Sequence, residues 1–330
     1  MRGGVKLYYV IEITEESVFK NENGNNMTPI INIGVLGSNA LWMKREDFIP
    51  FSFGGNKARK AKLFFEEIDL GNYDCVVTYG GSHSNHCRVV ANMAARRKMP
   101  CYLVEPKEVS DPTFNRSLMD LFDAQIITVP VEEVHETLEN LLENLKLHGM
   151  TPYFIPGGGH GNIGTQAYVD CYEEIKTFEY QDNIKFDYIF LASGTGTTQA
   201  GLVCGQIINQ DKRHIVGISI ARKSPYGRDI IVESVKSYLT QIDDKTADKY
   251  VEFIDCYTGQ GYGKENDEII RTIKNVILQY GIPLDSTYTG KAFYGMNNYL
   301  KDNRIENKNI LFIHTGGTPL FFDDIRKLKG

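Results

Sequence analysis

The sequence predicts an α/β protein built on mostly parallel β-sheet, and three observations carry that prediction. Short β-rich apolar runs alternate with longer polar, helix-like stretches along the 330 residues. The runs are continuously hydrophobic, as strands buried on both faces are. The segments that follow several of them are rich in glycine and small hydroxylated residues, the composition of tight strand-to-helix turns.

The strands are expected, in order, at 75–79, 101–104, 125–129, 153–155, 188–192, 215–220 and 310–314. Helices are expected between them, for example over 86–97, 131–147, 163–177, 198–208 and 265–280. A chain of this length can bury two cores. Residues 60–158 are expected to form a small domain, with 1–59 and 159–330 forming a large one that the chain leaves and re-enters. The Asn-rich stretch Asn21–Asn26 reads as a surface loop. In parallel sheets ligands sit at the carboxyl ends of the strands, so the loops after each strand are the place to seek chemistry.

Composition removes several function classes. A net charge of −6, with no run of Lys and Arg, argues against nucleic acid as a partner. No apolar segment reaches membrane length, and the one near the start is broken at Glu12, too short for a signal peptide. The six cysteines are scattered without a C-x-x-C pair, which fits a reducing, cytoplasmic setting. Cys87 invites reading as a nucleophile, but a Cys at a helix start is better explained by core packing. His83, His86, His160 and His314 are not spaced as metal ligands, and no metal is expected.

Four loops carry the functional signal: Gly80-Gly81-Ser82-His83-Ser84-Asn85, Pro156-Gly157-Gly158-Gly159-His160-Gly161, Ser193-Gly194-Thr195-Gly196-Thr197-Thr198 and Thr315-Gly316-Gly317-Thr318. The third lies between a strand and a helix. Its glycines let backbone N–H groups converge at a helix N-terminus, and its threonines add hydroxyl donors, which suits a phosphate monoester. It lacks the Lys-Ser/Thr ending of a Walker loop and the glycine spacing of a dinucleotide fold. A ligand-free tight turn would look the same. Lys57, in Ser52-Phe53-Gly54-Gly55-Asn56-Lys57-Ala58-Arg59-Lys60, adds a second element. A lysine is ordinarily solvated. Here, however, glycines permit close backbone approach, and neighbouring cations favour the neutral amine that attacks an aldehyde. A nucleophilic lysine with a phosphate loop is the minimum equipment for pyridoxal 5′-phosphate.

Six segments in order then resemble a known family: Gly54-Gly55-Asn56-Lys57-Ala58-Arg59-Lys60, Ser84-Asn85-His86-Cys87-Arg88, Thr195-Gly196-Thr197-Thr198-Gln199-Ala200-Gly201, Tyr262-Gly263, Asp285-Ser286-Thr287-Tyr288-Thr289-Gly290-Lys291 and His314-Thr315-Gly316-Gly317. Together they resemble the fold-type-II pyridoxal-phosphate enzymes, in the branch of aminocyclopropane-carboxylate deaminase and D-cysteine desulfhydrase. The resemblance implies a two-lobed, tryptophan-synthase-β-like fold with mostly parallel open sheets flanked by helices, and a homodimer. It implies that Lys57 holds the cofactor as a Schiff base and that Asn85 bonds the ring oxygen. Asn56, Thr195, Gly196, Thr197 and Thr198 would hold the phosphate. Ser84 would meet the substrate carboxylate or the departing proton, and Tyr262 and Tyr288 would face the substrate. Read singly, Ser84 and Asn85 serve equally as helix caps, and a tyrosine is usually a packing residue.

Two positions bear on the reaction. The deaminases of the branch carry Glu and Leu where this chain has Thr289 and Thr315, and the desulfhydrases carry threonine. A neutral partner leaves the cofactor ring a shallower electron sink than a carboxylate does, which suits prompt loss of a β leaving group. The resemblance therefore implies a lyase converting D-cysteine to pyruvate, ammonia and hydrogen sulfide. Cysteate, β-chloroalanine, serine, an O-acylated serine, a diamino acid or aminocyclopropane carboxylate remain alternatives, as does a non-catalytic cofactor-binding protein. His83 stands where the family commonly has Gln, beside the expected substrate, and leaves the leaving group open.

Overall fold

The computed structural model describes residues 27–259 and 261–329; the N-terminal basic start and the Asn21–Asn26 loop lie outside them. The chain opens with β1 (Ile30–Leu36) and β2 (Asn39–Arg45), then α1 (Asn56–Leu70). Next come β3 (Cys75–Tyr79), α2 (Asn85–Arg96), β4 (Cys101–Pro106), α3 (Phe114–Leu121), β5 (Gln125–Val129), α4 (Val134–Leu147) and β6 (Pro152–Phe154). It continues through α5 (Asn162–Gln181), β7 (Tyr188–Ser193), α6 (Thr197–Ile208), β8 (His214–Ser219), α7 (Tyr226–Tyr238), α8 (Asp244–Tyr250) and β9 (Glu252–Ile254). The last elements are α9 (Asp267–Tyr280), α10 (Thr289–Asp302), β10 (Asn309–His314) and α11 (Thr318–Asp324).

Two sheets result. The larger runs β1-β2-β10-β7-β8-β9 and is parallel except for the β1–β2 hairpin; the smaller runs β5-β4-β3-β6 and is wholly parallel. Strand β7 shows why its sequence is apolar throughout. Ile189 and Leu191 enter a core formed with α5, α6 and α7, whereas Phe190 and Ala192 enter a separate core under α9 and α10. Both faces are buried, so every position must be apolar. Truncating Leu191 to Ala would cost about 2–5 kcal/mol.

All seven expected strands form. Strands β1, β2 and β9 lie outside the expected set. Strand β2 ends in Lys44 and Arg45, an ending that reads as surface, yet Lys44 is fully buried and pairs with Glu174 at 2.6 Å. A charge-paired strand has no hydrophobic signature at that end. Helix α1 bridges the two sheets. Its Ala58, Ala61, Phe64 and Phe65 pack with β3 and α2 of the smaller one, while Arg59 reaches Glu46 and Glu174 beside the larger.

Candidate active site

The loop before α1 makes a turn that only special residues tolerate. Ser52, Phe53, Gly54 and Gly55 are successively left-handed, with φ of 46°, 56°, 61° and 95°. A Cβ on Gly55 would lie 2.7 Å from the Thr315 carbonyl oxygen, so the two glycine-rich segments touch backbone to backbone. The Gly55 and Asn56 amides donate to the carbonyls of Glu46 (2.7 Å) and Thr315 (3.0 Å). Gly55 caps α1, which places Lys57 in its first turn. The lysine Nζ donates to the Gly158 carbonyl at 2.9 Å. Loss of hydration lowers its pKa to about 8; the Cys87 thiol opposes the shift and the Arg222 guanidinium adds to it.

Facing Lys57 is the turn from β7 into α6. Gly196 is left-handed at φ 90°, and no side chain caps the helix, so its first N–H groups are free to meet an anion. Asn56 Nδ2 donates to Thr198 Oγ1 at 3.0 Å, tying the lysine loop to this turn. Arg222 Nη1 donates to the Thr195 carbonyl at 3.3 Å. The buried Ser193 Oγ, Gln199 Oε1 and Lys60 Nζ have no hydrogen-bond partner among the described residues. An uncapped helix start with unsatisfied polar atoms nearby fits a phosphorylated cofactor. Thr197 departs from expectation: it does not line the cavity, because its Oγ1 lies 3.0 Å from His160 Nδ1.

The third wall is the start of α2. Ser84 Oγ accepts from the Cys87 amide at 3.1 Å and caps the helix, and the same serine stands on the cavity wall. Asn85 Oδ1 accepts from Asn115 Nδ2 at 2.9 Å and from Arg88 Nη2 at 3.3 Å. Its oxygen is thus taken, and its NH₂ is left for the cavity. Thr78 Oγ1 gives its proton to the Ile155 carbonyl (2.6 Å), so His86 Nε2, 2.9 Å away, is the donor to Thr78. Burial holds the His86 pKa well below its usual range, with Lys57 and Lys60 adding to the shift, and the ring is neutral. Cys87 is buried, with its thiol pushed up to about 12 by that burial, which suits packing and not nucleophilic attack.

The fourth wall holds the tyrosines. Tyr262 and Tyr288 share a 2.6 Å hydrogen bond between phenol oxygens, and Tyr288 also points at the His83 carbonyl, 3.4 Å away. Asp285 sets the direction of Tyr288. One carboxylate oxygen accepts from the amides of Thr287 (2.9 Å) and Tyr288 (2.7 Å), the other from the amide and hydroxyl of Thr289 (3.1 and 2.7 Å). The Thr289 hydroxyl is consumed there and, against expectation, does not line the cavity; Thr315 does. His83 is also placed differently from expectation. Its ring lies edge-on to Tyr262, with centres 6.3 Å apart, and opens on a neighbouring crevice beside Asp111, Lys264 and Lys327.

These walls enclose about 290 Å³. Lys57 and Arg222 are the charged side chains among its lining residues, and no carboxylate is among them. Lysine and arginine without acids favour ligands bearing phosphate and carboxylate. Two participants were given no role by the sequence, although Lys291 closes one of the family segments. Arg222 follows β8 in a charged stretch that resembles any surface turn. Lys291 is buried on α10 and holds the carbonyls of Ile220, at 3.2 Å, and of Gly261, next to Tyr262. Among the described residues, no group of His, Cys, Asp and Glu is arranged to hold a metal, and no helix is long and apolar enough to cross a membrane.

Known proteins resemble this chain in sequence and in fold. The family model of pyridoxal-phosphate dependent enzymes matches residues 22–316. D-cysteine desulfhydrase from Yersinia enterocolitica is 30% identical over 310 residues, covering 90% of this chain and 93% of that one. The enzyme of the same name from Serratia proteamaculans is 31% identical over 86% of this chain and 88% of its own. Among solved structures, a homologue of ACC deaminase superposes with a TM-score of 0.81 at 32% identity, covering 92% of this chain and 93% of the other. A hydrogen sulfide-producing enzyme from Fusobacterium nucleatum shares the fold, with a TM-score of 0.64 at 18% identity, covering 88% of this chain and 94% of its own.

Proposed function

This chain belongs to the pyridoxal-phosphate-dependent enzyme family, and on that premise we propose that it is a lyase removing the β-substituent of a small amino acid, with D-cysteine the leading substrate. The balanced reaction is D-cysteine and water to pyruvate, ammonia and hydrogen sulfide. The observation that carries this reading is the cavity itself: a half-buried lysine of lowered pKa faces an uncapped helix start, an amide NH₂ and two linked phenols, with no carboxylate in the lining.

Pyridoxal phosphate, when bound, supplies an electrophilic carbonyl and an electron sink for the Cα–H bond. Asn56, Thr195, Gly196, Thr198 and the α6 amides, which line or border the cavity, would bind its phosphate. The Asn85 NH₂, left free by the bonds to its oxygen, would orient the ring by the ring oxygen. Lys57 Nζ, neutral in a good fraction of molecules near pH 8, would be the amine that holds the cofactor and, when free, a base within reach of the Cα proton. The substrate carboxylate fits beside Ser84, near the positive end of α2. Tyr288, with its proton shared along the Tyr262 hydrogen bond, is placed to protonate the departing sulfur.

The choice of elimination over ring opening rests on the ring nitrogen. Thr315 stands in the lining, while the carboxylate of Asp285 is spent on backbone and hydroxyl donors. A site without a free acid offers the ring a neutral partner and favours prompt expulsion of a good leaving group. The sulfide-forming activity in the names of the relatives supports the same choice. The family resemblance further supports a cytoplasmic homodimer with a small lobe near 60–158. The deciding experiment scores α-keto acid release from a panel of D- and L-amino acids. D-cysteine should exceed aminocyclopropane carboxylate; the reverse order would overturn the elimination reading.

A further inference from the structure

Arg88 is completely buried on α2, one turn beyond Ser84. A guanidinium in that setting usually faces a carboxylate, because an uncompensated buried charge is expensive. Among the described residues Arg88 makes no ion pair with one; it spends its donors on two segments that meet at the cavity. Nη1 donates to the carbonyl and, at 3.0 Å, to the hydroxyl of Ser52; Nη2 donates to Asn85 Oδ1 at 3.3 Å. The Phe53 ring centre lies 5.7 Å from the guanidinium carbon, and Nε has no hydrogen-bond partner among the described residues.

Each contact has a consequence for the site. Ser52 and Phe53 begin the left-handed run that ends at Gly55 and delivers Lys57 into the cavity. The Asn85 oxygen, accepting from both Arg88 and Asn115, is drawn away from the cavity. Two donors on one amide oxygen also polarise the amide and make its NH₂ a stronger donor. We infer that Arg88 is a positioning residue, which fixes the lysine loop and the Asn85 amide in one register and strengthens the hydrogen bond Asn85 offers to an anionic ring oxygen. This rests on the reading of the cavity as a pyridoxal-phosphate site and extends it to a residue that touches neither cofactor nor substrate.

The test uses the cofactor-loaded protein. The Arg88→Met variant should shift the bound cofactor's absorbance from the visible band toward the near-ultraviolet tautomer, whose proton sits on the ring oxygen. It should bind pyridoxal phosphate about tenfold more weakly, the value of one hydrogen bond made to a charged group. With D-cysteine, kcat should fall more than KM rises, and Arg88→Lys should restore part of the visible band. Should Arg88→Met fail to fold, Asn115→Leu removes the other donor to Asn85 without stranding a charge, and should shift the bands the same way by less. Unchanged band ratio and affinity in whichever variant folds would overturn the inference. A wild-type protein that binds no pyridoxal phosphate would instead sink the cofactor reading itself, so the two failures are distinct.

Discussion

The phenol oxygens of Tyr262 and Tyr288 stand 2.6 Å apart, joined by a hydrogen bond across 26 residues of chain. Burial raises the pKa of both phenols, so neither ionises near neutrality and both remain proton donors. A pair of neutral phenols aimed into a cavity is suited to delivering a proton to a departing atom.

That arrangement separates binding from turnover. The Tyr288→Phe variant should keep the cofactor and its visible absorbance while kcat falls about 10²–10⁴-fold, the usual weight of a positioned acid. Tyr262→Phe should cost less, since it removes only the second hydroxyl. Steady-state kinetics beside absorbance spectra would decide, and unchanged turnover in Tyr288→Phe would make that side chain a packing residue.

Lys57 gives a pH prediction for the cofactor-free protein. Its pKa falls from 10.5 to about 8 on folding, so between those values the unfolded chain holds a proton that the folded chain lacks. Stability therefore rises with pH through that window and is insensitive to this group below it. Because the attacking amine must be neutral, cofactor uptake should quicken by about tenfold per pH unit below pH 8 and level off above it. Stopped-flow absorbance measures this directly; a rate independent of pH would refute it.

Backbone contact between the lysine loop and the Thr315 segment makes Gly55 intolerant of any side chain. Gly55→Ala should cost about 1–3 kcal/mol in denaturant unfolding and weaken cofactor binding as well. Gly281→Ala is the control. That residue is also left-handed, at φ 69°, but nothing lies within 4 Å of a Cβ there, so only a backbone cost of about 1 kcal/mol is expected. Equal losses at the two sites would show that the contact with Thr315 does not matter.

Asp285 answers three backbone amides and one hydroxyl with a single carboxylate. Replacing it with Ala should cost about 3 kcal/mol, because those buried donors lose their acceptor together. Asp285→Asn keeps one oxygen and should lose about half as much. Thermal unfolding would separate the three proteins, and an Asp285→Ala as stable as wild type would refute the account.

The sequence made the sheets legible because strands buried on both faces must be apolar, as Ile189 to Ala192 are. It made Lys57, Asn85, Thr195, Thr198, Thr315 and the two tyrosines legible because their segments keep family order, and the structure brings all of them to one cavity. What escaped was side-chain direction. Thr197 and Thr289 occupy motif positions, yet their hydroxyls turn to His160 and Asp285. His83 sits between Ser82 and Ser84, but the turn sends its ring into the next crevice. Buried charges escaped for a different reason. Lys44, Arg88 and Lys291 all look like surface residues until their distant partners, among them Glu174, Ser52 and Gly261, are seen.

The Asn56 amide takes its acceptor from Thr315, and Gly55 packs against the same carbonyl. During synthesis the lysine emerges early, but the strand that shapes its loop comes some 250 residues later. A ribosome-bound chain that has not reached Thr315 holds a lysine without a socket. On the proposed reading, a cofactor held by Lys57 would therefore need β10 paired with β2 to complete its socket, and its colour would report that the large sheet is assembled.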